Sequence, residues 1–387
     1  MRRFAFLFFL ALILFCAASA SAEDWDSFVV EDEEESVSPD PRVQAWALMR
    51  RMTDEEKIYQ LFYVCPEMLT GESRTVAMPK ENMLKTYPVG GVILFGQNIE
   101  SESQLVRITS TLQSQAAQAG LYPLLIGVDE EGGTVSRVAN KLGYPLVASP
   151  AEIGALNSED AAREAGKTIA AYLTPLGINM SFSPPADTVM GKAQAGVQIY
   201  GEDPALVSRL AAAMAEGLRE GGVTPCYTHF PGWGAMDGYS LGTMSIRRTP
   251  AELGEKELIP FRDGIQSGIE MILVSHAYLR TVGDDFPAST SAQVITGILR
   301  RELGYDGVII TDSLRMAAVT TNYKKGQESL AALKAGADML LLPPDLDAAV
   351  SAIKKALATG EITMTRIEES VSRILAVKIQ RAMISGE

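Results

Sequence analysis

The chain has 387 residues and sets 34 lysines and arginines against 48 aspartates and glutamates, a formal net charge of −14 at neutral pH. A surplus of that size repels nucleic acid and anionic membrane surfaces, which argues against both as partners. Two histidines and three cysteines, with no CxxC spacing and no Cys/His cluster, support neither a zinc site nor a disulfide framework.

Residues 1–22 read as a secretory signal. Arg2 and Arg3 supply the positive start, Phe4 to Cys16 is unbroken apolar sequence, and Ala20-Ser21-Ala22 is a small-residue cleavage site. The apolar run is too short to prefer spanning a bilayer, and no later stretch reaches about 18 residues without polar breaks. An uncleaved anchor is the main alternative. A lipoprotein built on Cys16 is weaker, because bulky Phe15 precedes it. The expected destination is therefore periplasmic or extracellular, with no membrane span after cleavage. Loss of Arg2 and Arg3 would take the charge from −14 to −16.

Residues 23–41 read as an acidic tether. Positions 23–40 hold nine acids and no base, a self-repelling composition that stays solvated. Cys65 and Cys226 lie in apolar strand-like runs, which favours buried free thiols over a pair. From residue 42 to 387 roughly 345 residues remain, ample for one large barrel or two ordinary domains.

Eight β-rich runs then recur with helical patterns between them: Leu61–Val64, Gly91–Phe95, Leu124–Asp129, Ile178–Ser183, Thr224–Phe230, Met271–Ala277, Gly307–Ser313 and Met339–Leu342. Continuous apolar runs of this length suit parallel strands covered by helices on both faces. Glu159–Leu173, Pro204–Glu220 and Ser291–Leu303 carry amphipathic helical patterns, and Gly177, Gly222 and Gly304 stand where helices should stop. The count and spacing predict a single-domain TIM-type (β/α)8 barrel over 42–387. A doubly wound open sheet is the alternative, but no glycine-rich phosphate fingerprint supports it.

Polar residues fall at the ends of these runs. Asp129, Asp187, His229, His276 and Asp312 all sit at or just past a C-terminal strand end, the catalytic face of a barrel. Asp312 is the sharpest candidate, and its competing role is a helix N-cap for Leu314–Val319. Asp-Glu-Glu-Gly-Gly at 129–133, with Arg137 beyond it, suits hydrogen bonding to sugar hydroxyls or, equally, a solvated acidic turn. His276 is a site residue or a satisfied core histidine. Trp233 is a stacking platform for a sugar ring or a packing residue.

Five ordered strings carry a resemblance. They are Pro-Leu-Leu-Ile-Gly-Val-Asp-Glu-Glu-Gly-Gly-Thr-Val-Ser-Arg at 123–137, Gly-Ile-Asn-Met-Ser-Phe-Ser-Pro-Pro-Ala-Asp at 177–187, Tyr-Gly-Glu-Asp-Pro at 200–204, His-Phe-Pro-Gly at 229–232 and Ile-Ile-Thr-Asp-Ser-Leu at 309–314. Together they resemble glycoside hydrolase family 3, in particular its single-domain β-N-acetylhexosaminidases of peptidoglycan recycling. The resemblance implies a retaining hydrolase acting on a β-linked saccharide or cell-wall glycan fragment, without metal or organic cofactor. It implies Asp312 as nucleophile, Asp129 and Arg137 as holders of the non-reducing sugar, and His229 as a substrate-binding histidine.

The chain also departs from that pattern. Where the related loop reads Lys-His-Phe-Pro-Gly-His-Gly followed by Asp-Ser-His, this chain has Thr228 at the Lys and Trp233 at the second His. No imidazole stands where the acid/base dyad should be. Gln198 replaces an Arg of the same pattern. Asp237 or Tyr239 are the candidate acid/base substitutes, with Glu130 and Glu131 as further carboxyl sources. Two functions follow: an exported glycosidase with an altered acid/base, or a glycan-binding scaffold that kept the barrel and lost turnover.

Overall fold

The computed structural model describes residues 40–72, 82–188, 198–233, 239–240 and 243–384. The signal segment, nearly all of the acidic tether, and Asp237 lie outside the described residues. A helix already begins at Pro41, one residue inside the expected tether, with the Asp40 carboxylate accepting from Arg42 N at 2.8 Å as its N-cap.

All eight expected strands form: β1 (Phe62–Val64), β2 (Gly91–Leu94), β3 (Leu125–Val128), β4 (Met180–Ser181), β5 (Thr224–Phe230), β6 (Met271–Val274), β7 (Val308–Thr311) and β8 (Leu340–Leu341). From β1 to β7 each strand pairs in parallel with the next. Strand β8 returns to β1 through Phe62↔Leu340 and Tyr63↔Leu341. A parallel bridge between Ile310 and Met339 joins β7 to the approach of β8. The sheet therefore closes on itself, and the open doubly wound alternative is excluded.

The barrel interior is a packed core. Tyr63 points across it, its hydroxyl 3.2 Å from Met180 Sδ and its ring edge-on to Phe182 at 5.6 Å. Gly91 and Gly127 make the room. A Cβ at Gly91 would lie 2.4 Å from the Tyr63 ring, and one at Gly127 would lie 2.4 Å from its hydroxyl oxygen. Neither strand can carry a side chain at that point.

Outside the ring, helices alternate with strands. Glu159–Leu173 and Pro204–Glu220 form as expected, capped by Ser158 and Asp203. Gly177, Gly222 and Gly304 take left-handed φ of 75°, 86° and 70°. The helix expected over Ser291–Leu303 differs: Gln293–Glu302 is π-wound, closed by Leu303 N donating to Ile298 O at 2.9 Å. Its apolar residues come as two adjacent pairs, Val294 with Ile295 and Ile298 with Leu299, one turn apart, so the wider turn still gathers them on one buried face.

Two charged groups lie in the core away from the strand C-termini. Asp338, just before β8, accepts from Ile309 N at 2.9 Å and pairs with Arg300 and with Arg373 at 3.2 Å, Arg366 standing at 3.8 Å. Those guanidiniums hold its carboxyl below the usual range against the effect of burial. Lys378, on the Met364–Gln380 helix, is fully buried and donates to Gln60 Oε1 at 3.0 Å.

Candidate active site

The site is built at the C-terminal ends of β3, β4, β5 and β7. Asp129 follows β3 immediately, and the chain then turns through a short antiparallel hairpin, Glu130–Gly132 against Val135–Ser136. Two glycines shape the turn. Gly133 has φ 55°, and a Cβ there would stand 2.6 Å from the Ser149 Cβ, so the hairpin packs directly on the neighbouring loop. The turn returns Arg137 beneath Asp129: Arg137 N donates to Asp129 O at 3.3 Å and its Nη2 reaches Oδ2 at 3.4 Å.

Glu130 points inward, where it accepts from Val138 N at 2.8 Å, Ala139 N at 3.1 Å and the Tyr172 hydroxyl at 2.8 Å. It clamps the start of the Arg137–Leu142 helix. Asp129 and Glu131, on either side of it in the chain, take no part in that clamp.

A second pair comes from β4 and β5. Asp187, beyond β4, accepts from Nδ1 of His229 at 2.8 Å through Oδ2 and from Trp233 N at 2.6 Å through Oδ1. The Trp233 indole lies flat on the His229 ring, centroids 3.7 Å apart and planes within 7°. Burial opposes charge on His229, but the Asp187 carboxylate, with Asp312 and Glu131 adding, raises its pKa above the usual imidazole value. Sequence reasoning placed Asp187 at a strand end and gave it no role. The pairing with His229 spans 42 positions and leaves no local signal.

Asp312 stands one residue past β7. Its backbone N donates to Val274 O at 2.9 Å, fixing it against β6, and Oδ1 accepts from Ser313 N at 2.6 Å. It caps no helix, because the next one, Ala317–Thr320, starts from Met316. Asp312 acts electrostatically on Asp129, His229 and His276. Burial raises the Asp129 carboxyl; Arg137 pulls it back down and Asp312 adds to the rise.

His276 is fully buried, with Nε2 2.8 Å from Ser313 O and Nδ1 2.7 Å from Ser289 Oγ. A carbonyl only accepts, so Nε2 carries the hydrogen and Nδ1 accepts from the serine. Burial lowers its pKa, keeping it neutral. Both nitrogens are engaged within the protein, and the contact to Ser313 makes His276 a brace for the segment after Asp312. Thr228 is buried on β5, and its hydroxyl finds no partner among the described residues. Gln198 lies against the hairpin, its amide donating to Glu131 Oε2 at 3.2 Å and accepting from Val135 N at 3.3 Å. Tyr239 lies in a two-residue strand paired with Thr243–Ile246, but its side chain, like Asp237, lies outside what is described.

The mouth thus gathers four carboxyl groups and two basic groups, with Arg137 committed to Asp129 and His229 to Asp187. A cleft of about 400 Å³ lined by Arg42, Trp46, Glu270, Asp306 and Arg373 lies at the opposite, N-terminal end of β6 and β7 and takes no part in this site.

Comparison with known proteins places the chain in a family. The family described as the glycosyl hydrolase family 3 N-terminal domain matches residues 53–377. A β-hexosaminidase from Tolumonas auensis is 35% identical over 282 residues, covering 71% of this chain and 82% of its own length. β-Hexosaminidase A from Pseudoalteromonas piscicida is 26% identical over 363 residues, 85% of this chain and 60% of its own. The solved structure of a glycoside hydrolase family 3 β-N-acetylglucosaminidase from Paenibacillus sp. superposes with a TM-score of 0.79 at 33% identity, covering 86% of this chain and 63% of that one. The chain spans less than two thirds of the length of the last two.

Proposed function

The chain belongs to glycoside hydrolase family 3, and from that premise we propose that it is an exported, retaining β-N-acetylhexosaminidase-like enzyme with Asp312 as its nucleophile. The observation that carries this reading is the placement of Asp312 at the mouth of β7, held by Val274 O and electrostatically coupled to Asp129 and His229. A rigid carboxylate there attacks the anomeric carbon, the leaving oxygen departs, and water then cleaves the glycosyl ester. Asp129 with Arg137, and His229 with Asp187, form the wall that receives the sugar hydroxyls; Gln198, Thr228, Trp233 and His276 complete its surroundings. Metal and cofactor play no part in this scheme. The substrate class is a β-linked amino sugar of cell-wall type, and the signal-like residues 1–22 support export to the periplasm or beyond.

Proton delivery to the leaving group falls to the 232–242 segment, where Asp237 and Tyr239 are the candidates. General acid catalysis contributes typically about 10²–10⁴-fold, so substrates with good leaving groups should turn over far better than natural linkages. A second reading, a glycan-binding barrel without turnover, is favoured by Trp233: an aromatic ring stacks on His229 where the resemblance places an imidazole.

One experiment separates the two. An activated fluoro-glycoside of N-acetylglucosamine should add one glycosyl mass to the intact protein, mapped to Asp312 and absent in Asp312→Asn. Saccharide binding without label in either protein would establish the scaffold reading.

A further inference from the structure

Glu131 stands apart from the other acids of the mouth. It is buried, 8% exposed, and it forms no ion pair among the described residues, whereas Asp129 has Arg137 and Asp187 has His229. Its contact is with a neutral amide, Gln198. Asp129 stands two residues earlier, and Glu130 between them is consumed beneath the hairpin. Titratable groups meet it from several elements: Asp129 beyond β3, Asp187 beyond β4, His229 on β5 and Arg137 on the hairpin's helix. The Tyr200 phenol lies within its electrostatic reach. Arg137 and His229 are each already paired with another acid, Asp129 and Asp187. A further negative charge on Glu131 would sit in a low-dielectric wall beside two carboxylates, with no counter-ion of its own.

We infer that Glu131 is a neutral carboxylic acid in the resting protein and donates its O–H to a hydroxyl of the bound sugar. The inference rests on the glycoside reading above and names the hydrogen-bond donor of that same wall. Burial first, then Asp129 and Asp187, push the Glu131 carboxyl up to about 8, with His229 and Arg137 opposing. The chemistry suits a polyol. An ionised carboxylate only accepts, so a wall made of carboxylates alone satisfies the donor side of each sugar hydroxyl and leaves its lone pairs empty. A protonated carboxyl supplies the missing donor, and a hydroxyl that both gives and receives is held more strongly.

The test uses the full chain and N-acetylglucosamine, a monosaccharide with no bond to cleave. Calorimetric affinity should stay level from pH 6 to about 8 and then fall, approaching tenfold per pH unit. Glu131→Gln, which keeps a neutral N–H donor, should lose the alkaline fall, and Glu131→Ala should bind weakly at every pH. A wild-type profile flat to pH 9.5, or a Glu131→Gln profile that still falls, overturns the inference. Infrared spectroscopy supplies a reading independent of sugar. The C=O band of a protonated carboxyl should be present at pH 7, be lost near pH 8–9, and be absent in Glu131→Gln. Its absence from the wild type also overturns the inference. Failure of the wild type to bind saccharide while the band is present locates the error in the glycoside reading and rejects the donation to sugar with it.

Discussion

His229 and His276, the chain's two histidines, flank the barrel mouth in opposite electrostatic settings. Both are buried, which by itself disfavours charge; only His229 has an acid bonded to its ring. With two imidazoles their NMR resonances are easily assigned. His229 should titrate above about 6.5 and His276 below it. Asp187→Asn should move His229 downward, because burial then acts without the main opposing charge. Two coincident titration curves would refute this. The linkage follows directly. The raised His229 stabilises the fold fully below its unfolded pKa and loses that contribution as pH climbs through the folded value. His276 works the other way: below about 6.5 the unfolded chain takes a proton that the folded one refuses, so acidification costs stability. Sequence alone placed Asp312, His229 and Asp129 at strand ends, because a polar residue closing an apolar run is a local signal. The partners of these residues are tertiary, and Asp187 and Glu131 acquired their roles only with the fold.

The strands were legible for a simple reason. A fully buried parallel strand reads as an apolar run, and most of the eight do, with Ile178–Ser183 and Thr224–Phe230 mixing in polar residues; the observed ends lie zero to three residues inside the expected ones. The π-winding of Gln293–Glu302 was not legible, since two adjacent apolar pairs three to five positions apart suit an α- or a π-turn alike. Nor does an apolar run show why Gly127 interrupts β3, which depends on Tyr63 two strands away. That dependence can be measured. Gly127→Ala should cost about 1–3 kcal/mol in urea unfolding, as overpacked core positions do. In a Tyr63→Phe background the cost should largely vanish, because the next atoms a Cβ would meet are 3.4 Å away. Equal costs in the two backgrounds would place the strain elsewhere.

At the scale of the whole molecule, Lys378 makes the barrel's stability depend on pH. Burial alone pushes its ammonium down to about 7, while an unfolded lysine titrates near about 10.4. Between those values the unfolded chain holds a proton that the folded chain has shed. Stability should therefore rise with pH from 7 to 10, by up to about 1.4 kcal/mol per unit from this group. Lys378→Met should remove that slope and unfold at higher urea concentration at pH 7; parallel slopes for the two proteins would show that the buried amine is not its source.

The same burial has a chemical consequence for sulfur. Cys65 and Cys226 are unpaired, and burial raises both thiols above their ordinary acidity. Exchange and oxidation proceed through the thiolate, and the described barrel presents almost none of it. A chain sent among oxidants with free thiols ordinarily risks cross-linking to its neighbours. Here both sulfurs are shielded inside the protein, so oxidising surroundings meet no reactive sulfur on the barrel surface.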